Sequence, residues 1–218
     1  MTEETIVLVH GLWMNGLDMS LLRRRLQHAG FACRRYSYRS MRSTPLENAM
    51  DLNTYIQTLD ATVIHLVAHS LGGLVLRHLY YEYPRQRPGR VITLGTPHQP
   101  SSAAHSLVQF PLTRMLLGKS VVNGLLGNVP PWNNGHELGS IAGDMRLGMG
   151  VMIPGVVRPG DGTVAVSETH LEGMKEHTVV HATHTGLLFS KRAAEQVIRF
   201  LQTGHFLTGD GGDLNHQD

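Results

Sequence analysis

A serine, Ser70, lies where a strand-like segment meets a helix-like segment, in the sequence Ala-His-Ser-Leu-Gly-Gly. Residues 62–68 have the composition of a buried strand, and residues 71–83 form a helix-length stretch that ends before a proline. A serine at such a junction needs a very sharp turn, in which the residues two before and two after it nearly touch. Both must be small, and Ala68 and Gly72 meet this requirement. The sequence therefore predicts a strand, a nucleophile and a helix in direct succession.

This turn has chemical consequences for Ser70. It would expose the serine hydroxyl at the carboxyl edge of a sheet and point the Leu71 N–H, together with the helix N-terminus, toward an incoming oxyanion. The alternative interpretation is that Ser70 only caps the helix. The strand before it and the helix after it favour the nucleophile.

The rest of the chain repeats the alternation of short apolar runs with amphipathic stretches, which is typical of an α/β fold with a mostly parallel sheet. The predicted strands are 5–10, 31–38, 62–68, 91–95, 137–142 and 177–180. The predicted helices are 17–29, 46–59, 71–83 and 186–201, with 101–117 as a further candidate. We therefore expect a sheet of about six strands flanked by helices.

The length of 218 residues fits one domain, which we place at 1–203, with 98–136 as a cap or pocket wall. The alternative for 98–136 is a core helix followed by an irregular loop. The polar, glycine-rich residues 204–218 are predicted to be a disordered tail. The start of the chain is acidic and no apolar run is long enough to span a membrane, so we expect a cytoplasmic protein.

Charge and cysteine content exclude other classes of protein. Lys and Arg number 19 against 17 Asp and Glu, a net charge of +2, which is too balanced for a dedicated nucleic-acid binder. The single cysteine excludes an intramolecular disulfide and a cysteine zinc cluster. His177, His181 and His184 have a spacing that a metal could use, but strand and loop residues would not all face one way. We expect no metal and no cofactor.

The segment around Ser70 resembles the nucleophile turn of the α/β-hydrolase superfamily, and more closely that of its small bacterial lipases and esterases. The resemblance extends from about residue 5 to residue 201. The chain departs from the usual pattern at Ala68, where glycine is common, although some of these enzymes also carry alanine. It also lacks the residues for the two strands that larger members place first, which implies a minimal version of the fold. The resemblance implies a serine hydrolase that cleaves carboxylic esters through an acyl-enzyme.

The sequence His-Gly-Leu-Trp, residues 10–13, ends the first predicted strand. In the lipases that this chain resembles, a His-Gly-X turn supplies one oxyanion donor and the residue after the serine supplies the other. Carried over, the two donors are the backbone N–H groups of Leu12 and Leu71. His10 is expected to orient this loop through hydrogen bonds rather than to transfer protons.

The fold places the catalytic acid after the serine and before the histidine in the chain. The best candidate is Asp161, in the sequence Arg-Pro-Gly-Asp-Gly-Thr-Val, which resembles the acid loop of the family. Its rival is Asp144, in the sequence Ala-Gly-Asp-Met at the end of the predicted strand 137–142. For the base, His184 lies just before the last predicted helix, as in the lipase pattern. His181, in the same threonine-rich loop, is the alternative.

Several residues are candidates for substrate contact. The segment Gly95-Thr-Pro-His98 resembles the motif that forms a pocket wall beside the nucleophile in these lipases, so we treat it as structural. The predicted substrate-binding residues are Trp13, His69, Leu116, Leu126 and Trp132.

The substrate is expected to be a small-molecule or lipid ester. Thioesterase, amidase and acyltransferase activities use the same machinery and stay open, as does, less favoured, a non-catalytic binding role. The first quarter of the chain is basic, with Arg23–Arg25, Arg34, Arg35, Arg39 and Arg42. The default interpretation is a solvated surface, and the sharper one is attraction of anionic lipids, with transient contact to a membrane surface.

Overall fold

The structure is a computed structural model that describes residues 4–133, 135–146 and 158–208. Six strands form one sheet: β1 (Glu4–Val9), β2 (Ala32–Tyr36), β3 (Val63–His69), β4 (Val91–Leu94), β5 (Leu138–Gly143) and β6 (Glu176–Val180). Their order is β2-β1-β3-β4-β5-β6, and every neighbouring pair is parallel. The expected mostly parallel sheet is confirmed and is parallel throughout. All strands therefore present their carboxyl ends at one edge.

The helices are α1 (Ser20–His28), α2 (Pro45–Gln57), α3 (Leu71–Glu82), α4 (Ser102–Leu107), α5 (Pro111–Leu117), α6 (Gly186–Phe189) and α7 (Lys191–Thr203). Local sequence explains where several of them begin. Thr44 and Glu47 form a reciprocal capping box at the start of α2, where Pro45 occupies the first turn. The Ser190 hydroxyl accepts a hydrogen bond from the Ala193 N–H at the start of α7.

Two predicted helices are each divided in the structure. The candidate helix 101–117 is split into α4 and α5, because Phe110 is extended and Pro111 starts a new helix. The predicted helix 186–201 is split into α6 and α7 at Ser190, whose extended backbone lets it cap α7. A helical pattern continues across both breaks, which is why the sequence suggested single helices.

The two faces of the sheet carry separate apolar clusters. In β1, Ile6 and Leu8 pack toward α1 and α7, while Val7 and Val9 pack toward α2 and α3. This alternation follows from the two-residue period of a strand. A third cluster lies over the start of α3, where residues of α4, α5 and the loop after them cover Leu71 and Leu74. The segment 98–136 therefore lies beside the residue that follows Ser70.

The chain after α7 is ordered further than predicted. Phe206 is buried and its ring packs 4.8 Å from that of Phe200, while its N–H donates to Glu176. Residues 204–206 of the predicted disordered tail therefore pack against the core, and residues 209–218 lie outside the described residues. Within the described ranges, no helix is long and apolar enough to cross a bilayer.

Candidate active site

Ser70 lies in the tight turn between β3 and α3. Its backbone has φ 53° and ψ −123°, a region that residues other than glycine rarely adopt. A Cβ on Gly72 would lie 2.6 Å from the Val9 carbonyl oxygen and 2.7 Å from that of His10, so only glycine fits there. The Thr96 hydroxyl donates to the Ser70 carbonyl oxygen over 2.8 Å. The strained turn is thus fixed by contacts on both sides.

His184 lies in the loop between β6 and α6, and both of its ring nitrogens are engaged. Its Nε2 lies 3.0 Å from the Ser70 Oγ, and its Nδ1 lies 2.7 Å from Asp161 Oδ2. The carboxylate accepts the Nδ1 proton, which leaves Nε2 free to accept the proton of the serine hydroxyl. The structure therefore brings together all three residues of the predicted Ser–His–Asp arrangement.

Asp161 is almost completely buried, with 1% of its side chain exposed. Its Oδ1 accepts backbone N–H groups from Thr163 at 2.9 Å and from Val164 at 2.7 Å. Its own carbonyl oxygen accepts the His184 N–H at 3.0 Å, so the two residues are joined through both backbone and side chain. These contacts orient the carboxylate and supply hydrogen bonds to its charge.

The alternative acid and base candidates, Asp144 and His181, contact each other. His181 Nδ1 lies 2.8 Å from Asp144 Oδ1, and both side chains are more exposed than those of Asp161 and His184. Asp144 follows β5 and His181 follows β6, so neighbouring strand ends bring them together. Neither residue lines the cavity at Ser70.

The loop of residues 10–13, which carries the predicted oxyanion donor Leu12, packs directly against Ser70. A Cβ on Gly11 would lie 2.9 Å from His69 Nδ1 and 3.0 Å from Ser70 Cβ, so a side chain would force the loop away. Among the described residues, no group accepts a hydrogen bond from the Leu12 or Leu71 N–H. Both predicted donors are therefore free to bind a substrate oxygen.

His10 holds this loop without touching Ser70. Its Nδ1–H donates to the Gly11 carbonyl at 2.8 Å, and its Nε2 accepts the Tyr38 N–H at 3.2 Å. The Tyr38 ring stacks on it at 4.3 Å, and the Tyr38 hydroxyl donates to the His10 carbonyl at 2.8 Å. Burial lowers the pKa of His10, which favours the neutral ring that this bonding requires. Sequence reasoning missed Tyr38, because its contact depends on the pairing of β1 with β2.

His69 is fully buried between Ser70 and His184. Its Nε2–H donates to the His184 carbonyl oxygen at 3.0 Å, and the two rings lie 4.7 Å apart. Burial, followed by the nearby His184, lowers the pKa of His69 to about 3, so the ring is uncharged at neutral pH. His69 therefore supports the backbone of His184 in addition to lining the cavity.

A cavity of about 420 Å³ opens at Ser70. Trp13 and His69, both predicted to contact substrate, lie in its wall, as does Leu12. Further apolar residues line it: Pro97, Ala103, Ala104, Leu107, Leu117 and Leu125. An apolar lining next to a polar reacting centre suits an acyl chain.

Three predicted substrate contacts lie elsewhere. Trp132 packs edge-on against Tyr80 at 4.9 Å and donates its indole N–H to the His136 carbonyl, so it belongs to the core. Leu116 and Leu126 are not among the lining residues either, and their neighbours Leu117 and Leu125 line the cavity instead. The helical turn of α5 directs Leu117 inward and Leu116 outward. A sequence pattern alone could not predict which of these two leucines faces the cavity.

The segment 97–101 separates two cavities. Pro97 and Ser101 line the cavity at Ser70, whereas His98 lines a second cavity of about 990 Å³ that none of the Ser–His–Asp residues reaches. His98 is buried, and its Nε2 lies 3.0 Å from the Thr93 hydroxyl.

The three histidines with metal-like spacing are held apart. His184 contacts Ser70 and Asp161, His181 contacts Asp144, and the ring of His177 stacks on that of His170 at 3.9 Å. In the parts of the chain that the structure describes, no group of three or more His, Cys, Asp or Glu residues is arranged to hold a metal ion.

A parallel sheet that carries a nucleophile turn at its carboxyl edge, with a histidine and an aspartate on later loops, defines the α/β hydrolases. Residues 6–214 match the model of this group, described as "Alpha/beta hydrolase family". The chain therefore belongs to the α/β-hydrolase family. No curated protein matches it.

Solved structures with the same fold include lipases and esterases. The mature lipase BlEst2 of Bacillus licheniformis has a TM-score of 0.71 and 19% identity, over 92% of this chain and 91% of that one. The chain spans only 47% of the propeptide form of that lipase. Phospholipase PlaB of Legionella pneumophila has a TM-score of 0.70 and 14% identity, over 91% of this chain and 58% of that one. A carboxylesterase of the thaumarchaeon Nitrososphaera gargenis has a TM-score of 0.60 and 16% identity, over 92% and 90%. At these identities the similarity establishes the fold.

Proposed function

We propose that the protein hydrolyses carboxylic esters through an acyl-enzyme on Ser70, with His184 as general base and acid and Asp161 as its orienting carboxylate. The observation that carries this proposal is the unbroken hydrogen-bond chain from the Ser70 Oγ through both ring nitrogens of His184 to a buried carboxylate. A serine hydroxyl is a weak nucleophile until an oriented base accepts its proton.

In the first half of the reaction, the Ser70 Oγ attacks the ester carbonyl carbon while His184 Nε2 takes the hydroxyl proton. The carbonyl π electrons move to the oxygen, which becomes an oxyanion. The Leu12 and Leu71 N–H groups donate to that oxygen, and each such donor is worth about 2.7–4 kcal/mol in an acyl-transfer site. Asp161 stabilises the imidazolium that forms. Collapse of the intermediate breaks the bond to the alkoxide, which leaves with the proton from His184.

In the second half, a water molecule attacks the acyl-enzyme and gives its proton to His184. The second tetrahedral intermediate breaks the bond to the Ser70 Oγ, which recovers its proton, and the carboxylic acid leaves. The apolar wall of Leu107, Leu117 and Leu125 suits the acyl part of the substrate. Lipases and esterases among the structures that share this fold support the same choice of substrate class.

The test is hydrolysis of p-nitrophenyl esters, from acetate to palmitate, by the wild type, by Ser70→Ala and by Ser167→Ala, which removes an exposed serine as the matched control. We expect Ser70→Ala to lose activity by about 10⁴-fold or more and Ser167→Ala to stay within about twofold of the wild type. Ester cleavage that survives Ser70→Ala would contradict the proposal. Labelling of Ser70 by a fluorophosphonate without cleavage of any ester would refute the ester class alone.

A further inference from the structure

The outward side of α5 is apolar although it faces solvent. Leu112 and Met115 are 70% and 68% exposed, and Phe110 before the helix and Leu116 within it are also exposed. Among the residues of α5, only Leu117 is buried. We call Phe110, Leu112, Met115 and Leu116 the α5 face. A contiguous exposed apolar patch of this kind marks an interaction surface more often than scattered single residues do.

The α5 face adjoins the entrance to the active site. The Trp13 indole N–H donates to the Leu116 carbonyl oxygen at 2.8 Å, and Trp13 is itself largely exposed. Trp13 also lines the cavity at Ser70, as does Leu117 on the inner side of the same helix. A partner seated on the α5 face would therefore lie at the mouth of the Ser70 cavity.

The surroundings of the α5 face are cationic. Residues 98–136 contain no Asp or Glu, whereas Arg114 and Lys119 lie within this segment and are exposed. The Lys119 N–H donates to the Met41 carbonyl at 2.9 Å, which places the loop that carries the exposed Arg39 and Arg42 beside the end of α5. One acidic side chain lies beside these cations: the Glu47 carboxylate is 3.8 Å from the Lys119 ammonium. Exposed apolar side chains among positive charges match an anionic lipid surface.

We propose that the α5 face docks on an anionic lipid bilayer and brings the cavity at Ser70 to its surface. The apolar side chains enter the boundary between headgroups and acyl chains, while the cations contact lipid phosphates. The ester that enters the cavity is then one held in the lipid phase, and this part of the inference rests on the proposed function. Docking itself needs no catalysis, so binding and activity can be measured separately.

The binding test uses the full chain with Ser70→Ala, so that no lipid is consumed. We compare how much of the protein sediments with vesicles of phosphatidylcholine alone and how much sediments with vesicles that also contain phosphatidylglycerol. We expect binding to the anionic vesicles that weakens as salt rises. Adding Leu112→Ser and Met115→Ser should weaken the affinity for the anionic vesicles by about tenfold for each substitution. Tyr81→Ser with Val179→Ser, which removes two exposed apolar side chains of α3 and β6, is the matched control and should stay within about twofold.

Activity separates the two proposals. In the chain that retains Ser70, Leu112→Ser with Met115→Ser should leave kcat/KM for dissolved p-nitrophenyl acetate within about twofold, because neither residue lines the cavity. Normal ester hydrolysis without vesicle binding, or binding that Leu112→Ser and Met115→Ser do not weaken, would overturn the docking proposal. Vesicle binding by a chain that cleaves no ester would overturn only the proposed function. A dimer that these two substitutions dissociate, with no vesicle binding, would assign the α5 face to a second copy of the chain.

Discussion

Two Asp–His pairs lie at the same edge of the sheet and differ mainly in their surroundings. Asp161–His184 and Asp144–His181 have nearly equal contacts, 2.7 Å and 2.8 Å, each through Nδ1 of the histidine. The side chains of the first pair are 1% and 14% exposed, and those of the second are 38% and 75% exposed. The short contact is common to both pairs, so it does not by itself single out the pair that we propose to be catalytic.

The difference lies in what each pair contacts beyond itself. Asp161 accepts two backbone N–H groups, and the far nitrogen of His184 reaches the Ser70 Oγ. A buried pair whose other hydrogen-bonding positions are also occupied is held in one geometry. An exposed pair is screened by water and contributes little to stability. We infer that a third partner and burial turn an Asp–His contact into a general base.

The largest expected difference is between the two histidines. His184→Ala should reduce kcat for a p-nitrophenyl ester by about 10⁴-fold or more, because Ser70 loses its proton acceptor. His181→Ala, the matched control, should stay within about twofold. Steady-state kinetics of both variants, with circular dichroism to confirm folding, makes the comparison. Equal losses in the two variants would contradict the distinction between the two pairs, and a loss confined to His181→Ala would show that His184 is not the base.

The two aspartates should differ in the same direction. Asp161→Asn keeps the size of the side chain but removes its charge and alters the bonding to His184 Nδ1, so kcat should fall by about 10³- to 10⁴-fold. Asp144→Asn should change kcat by about twofold or less. The same ester assay measures both. A loss confined to Asp144→Asn would reverse our assignment of the acid.

A smaller effect is expected at His69, which donates to the His184 carbonyl. His69→Phe removes the donor and should lower kcat about tenfold with little change in KM, because the base is less well positioned. His69→Gln, which can place an amide N–H near the same carbonyl, should recover part of the loss. His98→Phe removes another buried histidine and serves as the control, with kcat unchanged within about twofold. If His69 only stabilises the fold, both variants should instead lower thermal stability, and His69→Gln should not have a higher kcat than His69→Phe.

Buried histidines should make the fold sensitive to acid. Burial lowers the pKa of His69 to about 3 and that of His177 to about 4. It also lowers the pKa values of His10, His65, His78 and His98. The unfolded chain therefore binds more protons below about pH 6.5, so stability is complete above that pH and is lost as pH falls. Each such histidine lowers the free energy of unfolding by up to about 1.4 kcal/mol for each unit by which the pH falls.

Urea unfolding at pH 7.5, 6 and 5 measures this dependence. His69→Gln should reduce the slope of the free energy of unfolding against pH by the equivalent of about one bound proton, because one titrating group is removed. Stability that stays constant or rises as the pH falls would rule out the neutral state of these buried rings.

The sequence was sufficient for the parts of the molecule that depend on local chemistry. Six strands, the turn at Ser70 and the need for a small residue at position 72 follow from short patterns, and the structure has all of them. Helix ends were harder to predict, because the patterns of 101–117 and 186–201 run through breaks at Pro111 and Ser190.

The sequence could not choose between the two Asp–His pairs by local pattern. Asp144 and Asp161 both follow β5, and His181 and His184 both follow β6. The choice depends on how residues 158–164 fold back to bury Asp161, which is a long-range property. The same limit applied to Trp132, whose contact with Tyr80 joins two distant segments of the core. The resemblance to lipases favoured the Asp161–His184 pair, which reaches Ser70.

The most direct test of the central claim is to label the protein with a fluorophosphonate and locate the adduct by peptide mass spectrometry. The label reports the activated nucleophile without assuming a substrate. We predict one adduct, on Ser70, that forms at the wild-type rate in His181→Ala and at less than about a thousandth of that rate in His184→Ala. An adduct on another residue, or labelling of Ser70 that His184→Ala leaves unchanged, would contradict the account.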